Sequence, residues 1–196
     1  MIKSELRKIY LDKRRTVSPD QMAAKSRQIA ERFFAEVDLR TVNILSTFIS
    51  IEKLAEIDVS LIYTRIWADF PLVKTVSPIT DFATGELENR QFAAATPLVE
   101  NRWGIREPLG GEIVEASDID LVLVPLLSVD EEGYRVGYGK GFYDKFLGRC
   151  RVDCLKVGVS LFPPVQKIED ADDYDVPIDI CITPENRYVF EPALNC

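Results

Sequence analysis

Ile119-Asp120-Leu121-Val122-Leu123-Val124-Pro125 forms the most apolar stretch of the chain, and the block Gly133-Tyr-Arg-Val-Gly-Tyr-Gly-Lys-Gly-Phe-Tyr-Asp144 follows it. The first segment reads as a core strand closed by Pro125. The second lies between that strand and a helical pattern running from Gly141 to about Arg149, with a loop expected from about Leu127 to Lys140. In open α/β sheets the region beyond a strand's carboxyl end is where ligands bind.

Working outward, helices and strands alternate. Residues 2–15 are predicted as a helix, with Ile2, Leu6, Ile9, Tyr10 and Lys13 on one face and Lys3, Arg7 and Arg14 on another. Ser18-Pro19-Asp20-Gln21 is a capping box that opens a second helix to about Val37. Thr41–Ile49 reads as a buried strand, Ile57–Phe70 as a helix and Pro71–Val76 as a strand. Short strands are expected near 79–83 and 90–95. Leu155–Ser160 and Ile178–Thr183 read as the last strands. This alternation predicts a mostly parallel α/β sheet flanked by helices, a Rossmann-like three-layer architecture. There is no internal repeat and no linker long enough to divide the chain, so residues 1–196 are expected to form a single domain.

Composition narrows the chemistry. Hydrophobic residues make up 46% and charged residues 29% of 196 residues, which is ordinary globular usage. The longest apolar run, Leu121–Leu127, falls far short of the ~20 residues a spanning helix needs. The start of the chain lacks an apolar secretory segment. Net charge is −8, a poor basis for binding nucleic acid. The first 15 residues nevertheless hold six basic residues against two acidic ones, which points to a local anion site. Four cysteines without metal-ligand spacing predict free thiols in a reduced, cytoplasmic protein. There is no histidine, so imidazole bases, Ser-His-Asp triads and His-ligated zinc are excluded. Chemistry must run on carboxylates, cations and backbone amides, with an oxygen-ligated metal as the open alternative.

Gly137, Gly139 and Gly141 alternate, so the backbone can present several N–H groups to an anion, with Arg135 and Lys140 adding charge. The spacing GxGxG is neither a Walker A loop nor a dinucleotide fingerprint, and a glycine-rich surface turn is the competing reading. Lys3 and Arg7, at i and i+4, form either an anion-binding pair or a solvated basic face. The acidic loop Glu169–Asp175 is mainly a solvated segment, although one or two carboxylates suit magnesium; Asp144 and Asp175 are the candidates. Trp103 is core filler or an aromatic wall. Glu56 is an acid at a helix start, or a buried group able to take two hydrogen bonds from an amino-pyrimidine edge.

Together these segments resemble the 5-formyltetrahydrofolate cyclo-ligase (methenyltetrahydrofolate synthetase) family. The resemblance rests on Lys3-x-x-Leu6-Arg7, Glu56-Ile-Asp58, Gly104-Ile-Arg-Glu-Pro108, Asp120–Pro125, Gly133–Asp144, Asp175-Val-Pro-Ile-Asp179 and Ile182-Thr-Pro184. It implies ATP- and Mg²⁺-dependent conversion of 5-formyltetrahydrofolate to 5,10-methenyltetrahydrofolate, with ADP and phosphate released. It further implies that ATP meets Lys3, Arg7 and Arg135, Val136, Gly137, Tyr138, Gly139, Lys140, Gly141, Phe142 and Tyr143. Folate would meet Glu56, Trp103 and the stretch Tyr138–Phe142, and Asp144 and Asp175 would hold the metal. Arg135 and Lys140, within the glycine loop, are expected to act on the transferred phosphate. The chain departs from the family pattern at Phe142, Val59 and Tyr174, where Tyr, Thr and His are common, and over a slightly expanded Ile51–Ala55. Small-molecule substrates, no membrane or nucleic-acid partner and a monomeric state are expected. Two other readings carry over: a non-catalytic sensor of sugar phosphates or nucleotides, and a sugar-phosphate isomerase using Asp130 or Asp144 as base.

Overall fold

The computed structural model describes residues 1–81, 83–102 and 104–190. Helices α1 (Lys3–Arg15) and α2 (Pro19–Glu36) open the chain. The Gln21 amide donates to Ser18 Oγ at 3.2 Å and the Ser18 amide donates to the Gln21 side chain at 3.1 Å, which completes the capping box. Then come β1 (Ile44–Ser46), α3 (Ser60–Asp69), β2 (Lys74–Asp81) and β3 (Glu86–Phe92). Three short strands follow, β4 (Leu98–Glu100), β5 (Arg106–Pro108) and β6 (Ile113–Val114), before the core strand β7 (Leu121–Pro125). The small hairpin β8 (Ser128–Val129) and β9 (Arg135–Val136) leads to α4 (Phe142–Leu147). The last strands are β10 (Leu155–Val159), β11 (Ile180–Ile182) and β12 (Arg187–Val189).

The main sheet has the order β12-β11-β10-β7-β1-β2-β3-β6. Its central pairings, β11 to β10, β10 to β7, β7 to β1 and β1 to β2, are parallel. The outer pairings, β12 with β11, β2 with β3 and β3 with β6, are antiparallel. Register places Leu45 of β1 between Leu121 of β7 and Thr75 of β2. Leu121, Val122, Leu123 and Val124 are all fully buried. That is why β7 shows no polar alternation: helices cover both of its faces. Leu121 and Leu123 pack with Ile29 and Phe33 of α2 and Ile62 and Ile66 of α3. Val122 and Val124 pack on the opposite face with Phe146 and Leu147 of α4. Three layers result, as the alternation predicts.

Helix α1 lies apart from these two cores. Leu6 and Tyr10 pack on Leu127, Val136 and Ile168, pinning the helix over the β8–β9 hairpin. Burying two such side chains stabilises the docking by about 1.5–3 kcal/mol each.

Several boundaries differ from the sequence reading. Only Ile44–Ser46 of the 41–49 stretch is paired as a strand. The expected strand over 71–76 begins at Lys74 and continues to Asp81 as one arm of a hairpin. The segment expected to be a plain loop from 127 to 140 contains β8 and β9. The antiparallel β12 was not anticipated. On α1, Ile2 and Ile9 stay exposed, while Arg14 occupies the buried stripe with Leu6 and Tyr10.

Candidate active site

A cavity of about 780 Å³ opens beyond the carboxyl ends of β1 and β7, where Phe48, Ile49 and Pro125 form part of its wall. The glycine loop crosses this opening between β9 and α4. Gly139 (φ +83°) and Gly141 (φ +70°) adopt the left-handed conformation that disfavours any residue with a Cβ. At Gly139 a Cβ would also come within 2.9 Å of the Arg7 guanidinium. Gly137 is different: its φ is ordinary and the space beside it is open.

Lys3 and Arg7 both face the cavity from α1. Arg7 Nε donates to the Gly137 carbonyl at 2.9 Å, so the helix and the loop are tied directly. Lys3 Nζ pairs with Asp175 Oδ2. Asp175 Oδ2 also accepts from the Asp172 amide at 2.7 Å, which orders the acidic loop. Lys140 sits exposed on the cavity wall with no hydrogen bond or ion pair among the described residues. It is therefore the cation most available to a ligand.

Arg135 is placed differently from Lys140. Its side chain is 5% exposed, Nη2 donates to Asp144 Oδ1 at 2.8 Å and Nη1 donates to the Val176 carbonyl. Burial pulls the guanidinium below its ordinary range and the neighbouring Asp144 carboxylate opposes that pull. Asp144 Oδ1 also accepts from the Val176 amide at 3.2 Å. Arg135 thus joins the glycine loop, the helix start and the segment after Asp175. Val136 reaches the same cavity, but its side chain is buried against Leu6 and Tyr10. Phe142 and Tyr143 line the wall, and burial holds the Tyr143 phenol in its protonated form.

Glu56 reaches the cavity from the connection between β1 and α3. Oε1 accepts from the Tyr138 phenol at 2.6 Å and Oε2 from the Ile51 amide at 2.8 Å. Burial raises the carboxyl above the ordinary glutamate range, and these two donors act against it. Each oxygen keeps a further lone pair for a ligand donor.

The two carboxylates proposed for magnesium face the same cavity. Among the described residues no three metal-ligating side chains cluster together. Two hard oxygen donors lining one cavity with Lys3, Arg7 and Lys140 nevertheless fit a magnesium ion, which takes few protein ligands and completes its shell with water and phosphate.

Trp103 lies outside the described residues. The sequence reading grouped Arg14 with Lys3 and Arg7 on a basic face and gave it no role; in the structure it is buried with Leu6 and Tyr10, and its side chain donates to Tyr138 and to the Leu126 carbonyl. The available signal was a cation four residues beyond Tyr10 and eight beyond Leu6, on an otherwise apolar stripe. Asp130 does not fit the isomerase reading. It is fully buried, and its oxygens accept from the amides of Glu132, Tyr134 and Ile168.

A model of the 5-formyltetrahydrofolate cyclo-ligase family matches residues 1–184. The 5-formyltetrahydrofolate cyclo-ligase of Escherichia coli is 25% identical over 175 residues, covering 88% of this chain and 94% of that protein. Its namesake from Haemophilus influenzae is 23% identical and covers 90% and 92% respectively. The solution structure of 5,10-methenyltetrahydrofolate synthetase from Aquifex aeolicus superposes with a TM-score of 0.81 at 28% identity, over 100% of this chain and 96% of that one. A synthetase structure from Mycoplasma pneumoniae, 21% identical, shares the fold with a TM-score of 0.72 over 94% of this chain and 99% of that one. No helix among the described residues is long and apolar enough to cross a membrane.

Proposed function

This chain belongs to the 5-formyltetrahydrofolate cyclo-ligase family, and from that premise we propose how its residues divide the work. The activity is the ATP-dependent conversion of 5-formyltetrahydrofolate to 5,10-methenyltetrahydrofolate. One observation supports our assignment above the others. The glycine loop touches the basic helix through Arg7 and Gly137 and the Glu56 carboxylate through Tyr138. A surface suited to phosphate and a group able to grip a pterin are therefore joined through two adjacent loop residues.

In this reading Lys3, Arg7, Lys140 and the loop amides from Gly137 to Gly141 hold the triphosphate. Val136, Phe142 and Tyr143 shape the wall beside it. Glu56 accepts from the pterin's N–H groups, and Tyr138–Phe142 confine the folate. Asp144 and Asp175 hold magnesium. When bound, that ion neutralises charge on the phosphate oxygens. Arg135 keeps Asp144 in place and adds a fixed positive field. The whole chain acts as one domain, and as a monomer.

The formyl oxygen attacks the γ-phosphorus in line, and the bond to ADP breaks. The N10 lone pair then forms the new C–N bond at the activated formyl carbon. The C–O bond breaks with phosphate as leaving group, and the N10 proton passes to solvent. Phosphoryl transfer depends on positioning and charge neutralisation rather than on a protein nucleophile, which suits a chain with no histidine. The closure is intramolecular, so holding the folate in place supplies much of the rate.

The test is methenyl absorbance on mixing protein, ATP, Mg²⁺ and 5-formyltetrahydrofolate. Lys140→Ala should lower kcat by a barrier increase of about 2–4 kcal/mol with little change in folate KM. Near-normal turnover would remove Lys140 from the transferred phosphate.

A further inference from the structure

Arg14 is 5% exposed and lies on the buried stripe of α1. Its Nη2 donates to the carbonyl of Leu126, the residue that follows β7, at 2.7 Å. Its Nη1 donates to Tyr138 Oη at 3.0 Å, and Tyr138 Oη donates to Glu56 Oε1 at 2.6 Å. The Ile51 amide completes the series at Glu56 Oε2. The small void between Arg14, Glu56 and Leu126 measures about 10 Å³, too little for a counter-ion.

The direction of this relay is fixed by chemistry. A guanidinium has only donors, so it cannot accept the phenolic proton. Tyr138 has one proton, and with Arg14 donating to its oxygen that proton must go to Glu56. The carboxylate is thereby kept an acceptor at both oxygens, each with a further lone pair for a donor in the cavity that Glu56 lines. Without Arg14 the phenol could rotate, and Glu56 would lose both a nearby positive charge and a fixed partner.

We propose that Arg14 is a positioning residue for folate recognition, acting through Tyr138 on Glu56 without touching substrate. The proposal rests on the reading above that Glu56 grips the pterin. It separates two functions of α1: Lys3 and Arg7 face the cavity, while Arg14, further along the helix, serves the folate side from below.

The experiment measures both KM values by methenyl absorbance for Arg14→Met, Tyr138→Phe, Glu56→Gln and the double variants. Arg14→Met should raise folate KM about tenfold and move ATP KM less than about twofold. In the Tyr138→Phe or Glu56→Gln background the same substitution should change folate KM by less than about twofold, because the relay is already broken. Additive effects in those backgrounds, or equal shifts in both KM values, would overturn the proposal. If Arg14→Met does not fold, Arg14→Lys enters the same cycles, since an ammonium cannot reproduce the forked contact with both acceptors. Glu56→Gln alone reports on the underlying reading. If it impairs ATP rather than folate, that reading fails, while additivity or its absence between Arg14 and Tyr138 still decides whether the relay operates.

Discussion

Arg135 Nη2 donates to Asp144 Oδ1 across 2.8 Å, with the arginine side chain 5% and the aspartate side chain 28% exposed. The guanidinium is thus committed to holding a carboxylate that still faces the cavity. Asp144→Asn leaves a buried cation with a neutral partner, and removing one member of a buried pair is costly. Partial exposure of Asp144 reduces the effect to about 1–3 kcal/mol. Urea unfolding without nucleotide should show the midpoint fall. The same variant should need more magnesium for half-maximal turnover, and an unchanged magnesium titration would take Asp144 out of the metal site.

Glu56→Gln places an amide where two donors, the Tyr138 phenol and the Ile51 N–H, already point. Gln has one acceptor and one donor group, so one contact becomes donor against donor. Folate KM should rise about tenfold or more while ATP KM holds. In the parent protein the raised Glu56 carboxyl becomes protonated at a higher pH than an ordinary glutamate as acid is added. Of the groups around it, burial keeps Tyr138 and Tyr143 neutral. Folate KM should therefore climb as pH falls from neutrality, and Glu56→Gln should flatten that climb. A parallel climb in the variant would assign the pH dependence to another group.

What the sequence discloses, and what it hides, follows from the range of the physics. The capping box at Ser18 and Gln21 and the apolar run of β7 are local signals, and both are realised. The glycine block also sits where its place after β7 puts it, on the cavity wall. The β8–β9 hairpin is hidden because its strands are two residues long and pair through contacts no period reveals. Arg135 looks like another loop cation in sequence. Only tertiary packing buries it against Asp144 and the Val176 carbonyl. Arg14 is legible in retrospect as a charge on an apolar stripe, but its partners come from two distant segments.

Gly139 and Gly137 make opposite predictions within one loop. Alanine at 139 would be strained at φ +83° and would press on the Arg7 guanidinium. The backbone strain alone is about 1–2 kcal/mol. ATP KM should rise as Arg7 is displaced, and thermal unfolding should show the lost stability. Alanine at 137 meets open space at an ordinary φ, so its stability should stay within about 0.5 kcal/mol of the parent. Equal losses at both positions would contradict the loop conformation.

Asp120 provides an acid-stability test remote from the cavity. Its Oδ2 accepts from the amides of Asn43 at 2.7 Å and Ile44 at 3.0 Å, and Oδ1 accepts from Arg151 at 2.8 Å. Burial alone would raise this carboxyl, but the Arg151 guanidinium and the two amides outweigh it and hold it below the ordinary value of 3.8. A carboxyl lower in the folded than the unfolded state stabilises the fold above the unfolded value and loses that contribution as pH falls through the folded one. Asp120→Asn should therefore cost about 1 kcal/mol at neutral pH, after allowance for solvent screening. The gap between parent and variant should narrow on acidification below about pH 4. Urea midpoints at neutral pH and near pH 3 measure it; a gap that stays constant would mean that Asp120 acts through packing rather than charge.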